Sequence, residues 1–215
     1  MNLPIVYEDD WLLVVNKPSG LLTIPAPDKQ RRTLLKILND TLKDRGLSYR
    51  LHPCHRLDRE TSGLIIFAKG KSTQKRMMLE FKKKKVCKTY LAFAYGRIIK
   101  NQGWIRNPVR GRSALTRYQV LKRLKGFSVV KIRPLTGRKN QIRLHFKQIG
   151  HPVVGEDRFA FRRDFRIKAK RLCLHAQGLD FWHPVTKKPI HLEAELPEYL
   201  NSFINGAHPV RLSGG

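Results

Sequence analysis

The stretch CHRLDRETSGLIIFAKG, residues Cys54 to Gly70, joins two opposite kinds of chain. Its second half, GLIIFAKG, has the length and β-branched content of a buried strand bounded by glycines. Its first half sets one carboxylate, Asp58, between Arg56 and Arg59, just before a Thr-Ser-Gly turn. A lone acid among arginines is most often a surface ion pair. The alternative is a working group: flanking guanidinium charges favour the ionised carboxylate over its reference pKa of about 3.9. An ionised carboxylate suits attack on an electrophilic carbon better than proton donation. No second carboxylate stands out as an acid/base partner, and Glu60 is too near in sequence to be given that role.

Working outward, WLLVVNKPSG upstream reads as a strand entering a Pro-Ser-Gly turn. Thr33 is placed to cap a helix that buries Leu34, Leu35, Leu38 and Leu42 and ends near Gly46. Downstream, residues from about Ser72 to Lys85 have helical character, with Met77, Met78 and Phe81 on the inner side. KTYLAFAYG and FSVVKIRPLTG are further strands. Ile142, Phe146 and Ile149 repeat at helical spacing, so a helix is expected from about Asn140 to Gly150. RLCLHAQGLDFWHP closes with strand and turn character. Helices and strands alternate without a repeating βαβ unit. The expected fold class is mixed α and β, a mostly antiparallel central sheet with flanking helices. Residues 1–205 are read as a single domain and 206–215 as a loose tail.

Composition narrows the function. The chain has 215 residues, is 41% hydrophobic, and carries 44 Lys and Arg against 16 Asp and Glu, a formal charge of +28. That length supports a sizeable core. That charge calls for a polyanionic partner, and a nucleic-acid backbone is the first candidate. An anionic membrane fits less well, because no long basic amphipathic helix and no lipidation signal is present. No apolar run approaches a membrane span, and the N-terminus lacks the basic start of a signal peptide. Cys54, Cys87 and Cys173 are three in number and far apart, as free thiols in a reducing compartment would be. A cytoplasmic protein is expected.

Four other stretches concentrate histidine, cysteine or basic residues. His52, Cys54 and His55 lack a partner cluster at zinc-ligand spacing, so no metal site is assigned. LTGRKNQIRLHF brings Arg138, Lys139, Arg143 and His145 around a turn and a helix start; it is either a solvated basic face or an anion site. The spacing of a nucleotide P-loop is absent. FKKKKVCK, with Lys82, Lys83, Lys84 and Lys85, and DRFAFRRDFRIKAKRL, with Arg162 and Arg163 among aromatics, are candidate footprints for RNA or DNA.

Taken together, HRLDRETSGL, NKPSGLL, KTYLAFAYG, LTGRKNQIRLH, GHPVVGED and RLCLHAQGLDFWHP resemble, in order, the motifs of the RluA-type pseudouridine synthase family. The resemblance runs from about residue 5 to about residue 197. It implies the pseudouridine-synthase fold, with a catalytic cleft across the sheet, and isomerisation of uridine to pseudouridine in structured RNA. Ribosomal RNA is favoured as substrate, transfer RNA next. It implies that no cofactor or metal takes part, and a monomer is expected. By resemblance Asp58 is the nucleophile and Arg56 fills the space of an extruded uridine, which must leave its stack to be worked on. Tyr90, a catalytic residue by the same resemblance, packs on the target base and helps remove the C5 proton, and Arg143 pairs with Asp58 and keeps it ionised. Arg138 joins the basic runs as an RNA contact, and Arg59 is left without a role. The sequence departs from the family pattern at Asn140, where His is usual before Gln-Ile-Arg, and at Gly155-Glu156-Asp157, where Gly-Asp is usual. The S4-type RNA-binding module of many relatives is not seen, so the surface charge of the catalytic domain is expected to supply RNA affinity. The rival reading is a non-catalytic RNA-binding or ribosome-assembly protein that retains the fold.

Overall fold

The computed structural model describes residues 3–25, 32–160, 167 and 169–205. Arg162 and Arg163, their neighbours Phe161 and Phe165, and the tail 206–215 lie outside the described residues. The chain forms two compact units: Met1–Lys88 with Gly178–Ala194, and Thr89–Gln177 with Glu195–Gly215. Among the described residues are ten strands and four helices, the mixed α and β class expected.

In the first unit, β1 (Ile5–Glu8), β2 (Leu12–Lys17) and β4 (Ser62–Lys69) are antiparallel neighbours, and β3 (Leu51–Pro53) adds to β4. Strand β4 is buried on both faces: Leu64, Ile65, Ile66, Phe67 and Ala68 are all fully buried. This is why GLIIFA is a continuous apolar run rather than an alternating one. Leu12, Val14, Leu64, Ile66, Met77 and Phe181 meet in the core. Helix α1 (Leu34–Asp44) starts where the Thr33 side chain accepts from Lys36 N, the expected cap. It buries Leu34, Ile37, Leu38 and Leu42, while Leu35 is half-buried. It ends at Gly46, whose φ of 69° allows the bonds Gly46 N to Lys43 O and Leu47 N to Leu42 O.

Helix α2 (Lys71–Lys82) is shorter than expected. Lys84 takes a positive φ of 56°, so Lys83 to Lys85 leave the helix in a C-terminal turn, with Lys85 N bonding Glu80 O. A lysine gives no sign of such a turn in the sequence, where a glycine would. Met78 is exposed while Met77 is fully buried, because successive helical residues point about 100° apart.

In the second unit, β5 (Cys87–Tyr95, counted here from Thr89) pairs with β8 (Phe127–Pro134), β8 with β7 (Thr116–Leu124), and β7 with β6 (Gln102–Ile105), all antiparallel. Helix α3 (Gln141–Gln148) packs against β7 through Tyr118 and Phe146 and ends in a Gly150 turn, as expected. Helix α4 (Glu198–Ile204) sets Phe203 against Phe93 and Phe127. Strand β9 (Leu174–Trp182) begins in the second unit and ends in the first, where β10 (Pro189–Glu193) pairs with it.

Candidate active site

Asp58 lies, half-buried, in the loop between β3 and β4. A short turn closes over it, Thr61 N donating to Asp58 O at 3.2 Å. The loop is latched to the segment that follows β2. Leu57 N donates to the Thr23 hydroxyl, and that hydroxyl lies 3.1 Å from Leu57 O. Gly20 N donates to Arg59 O at 2.8 Å, and Arg59 Nε returns a bond to Gly20 O at 3.0 Å. The Ser19 hydroxyl donates to Glu60 O at 2.6 Å. Gly20 sits at a φ of 89°, which a side chain would strain. NKPSGLLT and HRLDRETSG are thus one piece of structure, and Arg59, unassigned by sequence, is a backbone clamp.

The centre of the latch is Lys17, fully buried at the end of β2. Its Nζ donates to Pro18 O, Leu21 O and Arg59 O at 3.0, 2.9 and 3.2 Å. Burial pulls its pKa down to about 8, against the upward pull of the Glu60 and Asp58 charges. Nothing in the sequence marked Lys17 beyond the NKPSG motif. A lysine closing an apolar strand is ordinarily a solvated end, and only the turn around it converts it to a buried cation.

His55 is held beside this loop. Its Nε2 accepts from Ile66 N at 3.0 Å, and its ring lies 5.0 Å from that of Phe81. Burial, with the Lys88 charge, lowers its pKa to about 3, so the imidazole is neutral. Burial pushes the Cys54 thiol up to about 12. A ring nitrogen already bound to a backbone amide and an un-ionised thiol are poor zinc ligands. Arg56 is exposed between His55 and Leu57.

The second unit carries Tyr90 and Arg143. Tyr90 is buried on β5 opposite Ile132 of β8. Arg143 projects from α3 and is 1% exposed. It forms a fork with Glu156: Nε donates to Oε2 and Nη2 to Oε1, each at 2.6 Å. Glu156 Oε1 also accepts from Arg158 N and Phe159 N. The Phe159 ring lies 5.0 Å from the guanidinium carbon. Burial works to raise the Glu156 pKa, but the Arg143 hydrogen bonds and charge and the two amides prevail and hold it below the usual carboxylate range.

The altered Gly155-Glu156-Asp157 thereby has a structural meaning. Glu156 holds the arginine, whereas Asp157 is half-exposed with Oδ1 3.9 Å from Nη2. Gly155 has a φ of 79°, and a Cβ there would fall 2.0 Å from Arg171 O, so only glycine fits. Asn140, the other departure, occupies the position before α3 at a φ of 58°, a left-handed conformation in which Asn is several-fold enriched. Glu156 was not among the sequence candidates, because nothing in GHPVVGED tells which acid faces the helix.

Lys82, Lys83, Lys84 and Lys85 are all exposed at the end of α2. Arg138 is exposed before α3 and donates Nε to Ser113 O. Among the described residues no helix is long and apolar enough to cross a membrane.

Comparisons with known proteins agree on one family. The family model described as RNA pseudouridylate synthase matches residues 11–148. The dual-specificity RNA pseudouridine synthase RluA of Vibrio cholerae is 37% identical over 198 residues, spanning 85% of this chain and 78% of that protein. The ribosomal large subunit pseudouridine synthase C of Rickettsia felis is 36% identical, spanning 91% of this chain and 68% of that protein. Among solved structures, human RNA Pseudouridylate Synthase Domain Containing 1 is similar with a TM-score of 0.70 and 30% identity, covering 91% of this chain and 84% of that one. The human Domain Containing 4 protein shares the fold with a TM-score of 0.78. The chain belongs to the RNA pseudouridylate synthase family.

Proposed function

We propose that this protein isomerises uridines of structured RNA to pseudouridine, with Asp58 as the nucleophile. The supporting observation is the latch: a buried lysine, two turns and a reciprocal pair of bonds between Gly20 and Arg59 fix the chain on both sides of one half-buried carboxylate. A surface ion pair needs no such framework, whereas a nucleophile gains rate from being held in place before the substrate arrives. The carboxylate activates the uridine, the N-glycosidic bond breaks, the base turns, and it rejoins the ribose through C5 with loss of the C5 proton. Arg56 fills the space left by the flipped nucleotide. Tyr90 packs on the target base, and Arg143 supplies the cationic partner of the carboxylate. Arg138 and Lys82 to Lys85 contact the RNA backbone, as do Arg162 and Arg163. Ribosomal RNA is the favoured substrate, consistent with a relative named for the large ribosomal subunit, and transfer RNA follows. The protein acts in the cytoplasm as a monomer, over residues 1–205 as one catalytic domain.

Tritium release from RNA labelled at uridine C5 tests this reading. The wild type releases tritium from unmodified ribosomal or transfer RNA transcripts. Asp58→Asn keeps the size of the side chain but loses its charge and nucleophilicity. It releases none and still binds RNA. Release near the wild-type rate by Asp58→Asn would rule out the mechanism. RNA binding without any release by the wild type would favour the non-catalytic reading.

A further inference from the structure

One basic feature of the second unit joins Arg138 and Lys139, already read as a candidate anion site, to two arginines not assigned so far. Val109, Arg110, Arg112, Gly137, Arg138 and Lys139 line a cavity of about 410 Å³. Four of the six lining residues are cationic and none is acidic. The cavity is formed by two loops. One is a two-residue hairpin in which Val109 and Arg112 exchange backbone hydrogen bonds of 2.9 and 3.1 Å. Its central residues, Arg110 and Gly111, have φ of 53° and 71°. Asn, Asp or Gly is the usual residue at the first of these positions, and an arginine there is strained. The other loop is Gly137 to Lys139, directly before α3.

The two loops are tied together. Arg138 Nε donates to Ser113 O at 3.1 Å, and Leu115 N to the Thr136 hydroxyl at 2.9 Å. The Gln141 amide spans both sides: Oε1 accepts from Arg138 N and from Thr136 Oγ1, and Nε2 donates to Leu115 O. From further along α3, Gln148 Nε2 donates to Pro108 O. The framework holds the two loops side by side, so four like charges line one cavity despite their mutual repulsion. Such a cluster is stable beside an anion. An open, polar cavity lined with guanidinium forks matches the oxygens of a phosphodiester.

We propose that Arg110, Arg112, Arg138 and Lys139 form a phosphate-binding subsite for the RNA backbone. The proposal rests on the reading of the protein as an RNA enzyme and adds a defined place where the strand is gripped. Arg110 and Arg112 are the test residues, since both are exposed and neither side chain is part of the framework.

The experiment titrates an unmodified transcript of large-subunit ribosomal RNA against the wild type and Arg110→Gln/Arg112→Gln at several salt concentrations. The double variant raises Kd about tenfold at moderate salt. It also lowers the magnitude of the log–log salt slope by about 1.4 to 1.8, the amount for two phosphates no longer neutralised. A control, Lys36→Gln/Lys43→Gln on the exposed side of α1, removes the same charge elsewhere and leaves the slope unchanged. Equal losses in the two double variants would reduce the effect to net charge and overturn the subsite, as would wild-type affinity and slope in Arg110→Gln/Arg112→Gln. Tritium release by the wild type is recorded in parallel. Release with no binding defect in the variant refutes the subsite alone. A binding defect with no release by the wild type refutes the enzymatic reading and leaves the subsite standing.

Discussion

The Arg143–Glu156 fork joins two fully buried charges, and its stability follows from completeness. Both Glu156 oxygens receive a charged donor, and two backbone amides add to one of them. Removing one member of a buried pair is far worse than never having built it, because the remaining charge keeps its desolvation penalty. Glu156→Gln is therefore expected to lose about 3 kcal/mol of stability at neutral pH, read by denaturant unfolding. The pH dependence has a definite sign. The Glu156 pKa is depressed in the fold below its ordinary 4.5. Its contribution is fully present above that unfolded value and is lost as pH falls through the folded pKa. The gap between wild type and Glu156→Gln should thus narrow in acid below pH 4.5. A gap that stays constant down to the acid transition would remove Glu156 as the titrating group.

At the scale of elements, the latch between the turn after β2 and the Asp58 loop depends on an ammonium that burial disfavours. The Lys17 pKa of about 8 lies below the unfolded value of 10.5. Between these values the unfolded chain binds more protons, so stability from this group rises with pH across that window, by about 3 kcal/mol. Turnover should move the other way, because a neutral amine has two N–H donors for three carbonyls and loosens the Asp58 loop. The wild type should lose activity above pH 8 while gaining stability relative to Lys17→Met. A stability difference independent of pH would contradict this account. Legibility in the sequence also divides by element. Strand β4 was legible because burial on both faces leaves an unbroken apolar run. Helices α1 and α3 were legible through Thr33, Gly46 and Gly150, whose chemistry marks helix ends. Strands β6 and β7 were not anticipated, since TRYQVLKRL mixes buried Thr116 and Tyr118 with exposed polar neighbours and has little apolar signal. The end of α2 was misplaced because a lysine fills the left-handed position. Asp58, Tyr90 and Arg143 are proposed as site residues on the strength of ordered motifs. Lys17 and Glu156 were not legible, because their roles arise from contacts between segments distant in sequence.

For the whole molecule, a surplus of +28 is the dominant physical fact. Self-repulsion of that size is relieved by counterions, and their release on RNA binding drives affinity. Lys82 to Lys85, exposed where α2 ends, are expected to share in this. Replacing the four with Gln should weaken RNA binding and reduce the log–log salt slope by roughly 0.7 for each phosphate they neutralise. An unchanged slope would make them a solubilising helix end. In the proposed function charge and chemistry meet: the basic surface draws RNA to Asp58, the carboxylate proposed to act on particular uridines. Pseudouridine mapping of total RNA tests it most directly, in a strain deleted for this gene and complemented with either wild type or Asp58→Asn. The account predicts that specific sites vanish on deletion, return with the wild type, and stay absent with Asp58→Asn. Restoration of those sites by Asp58→Asn would contradict it.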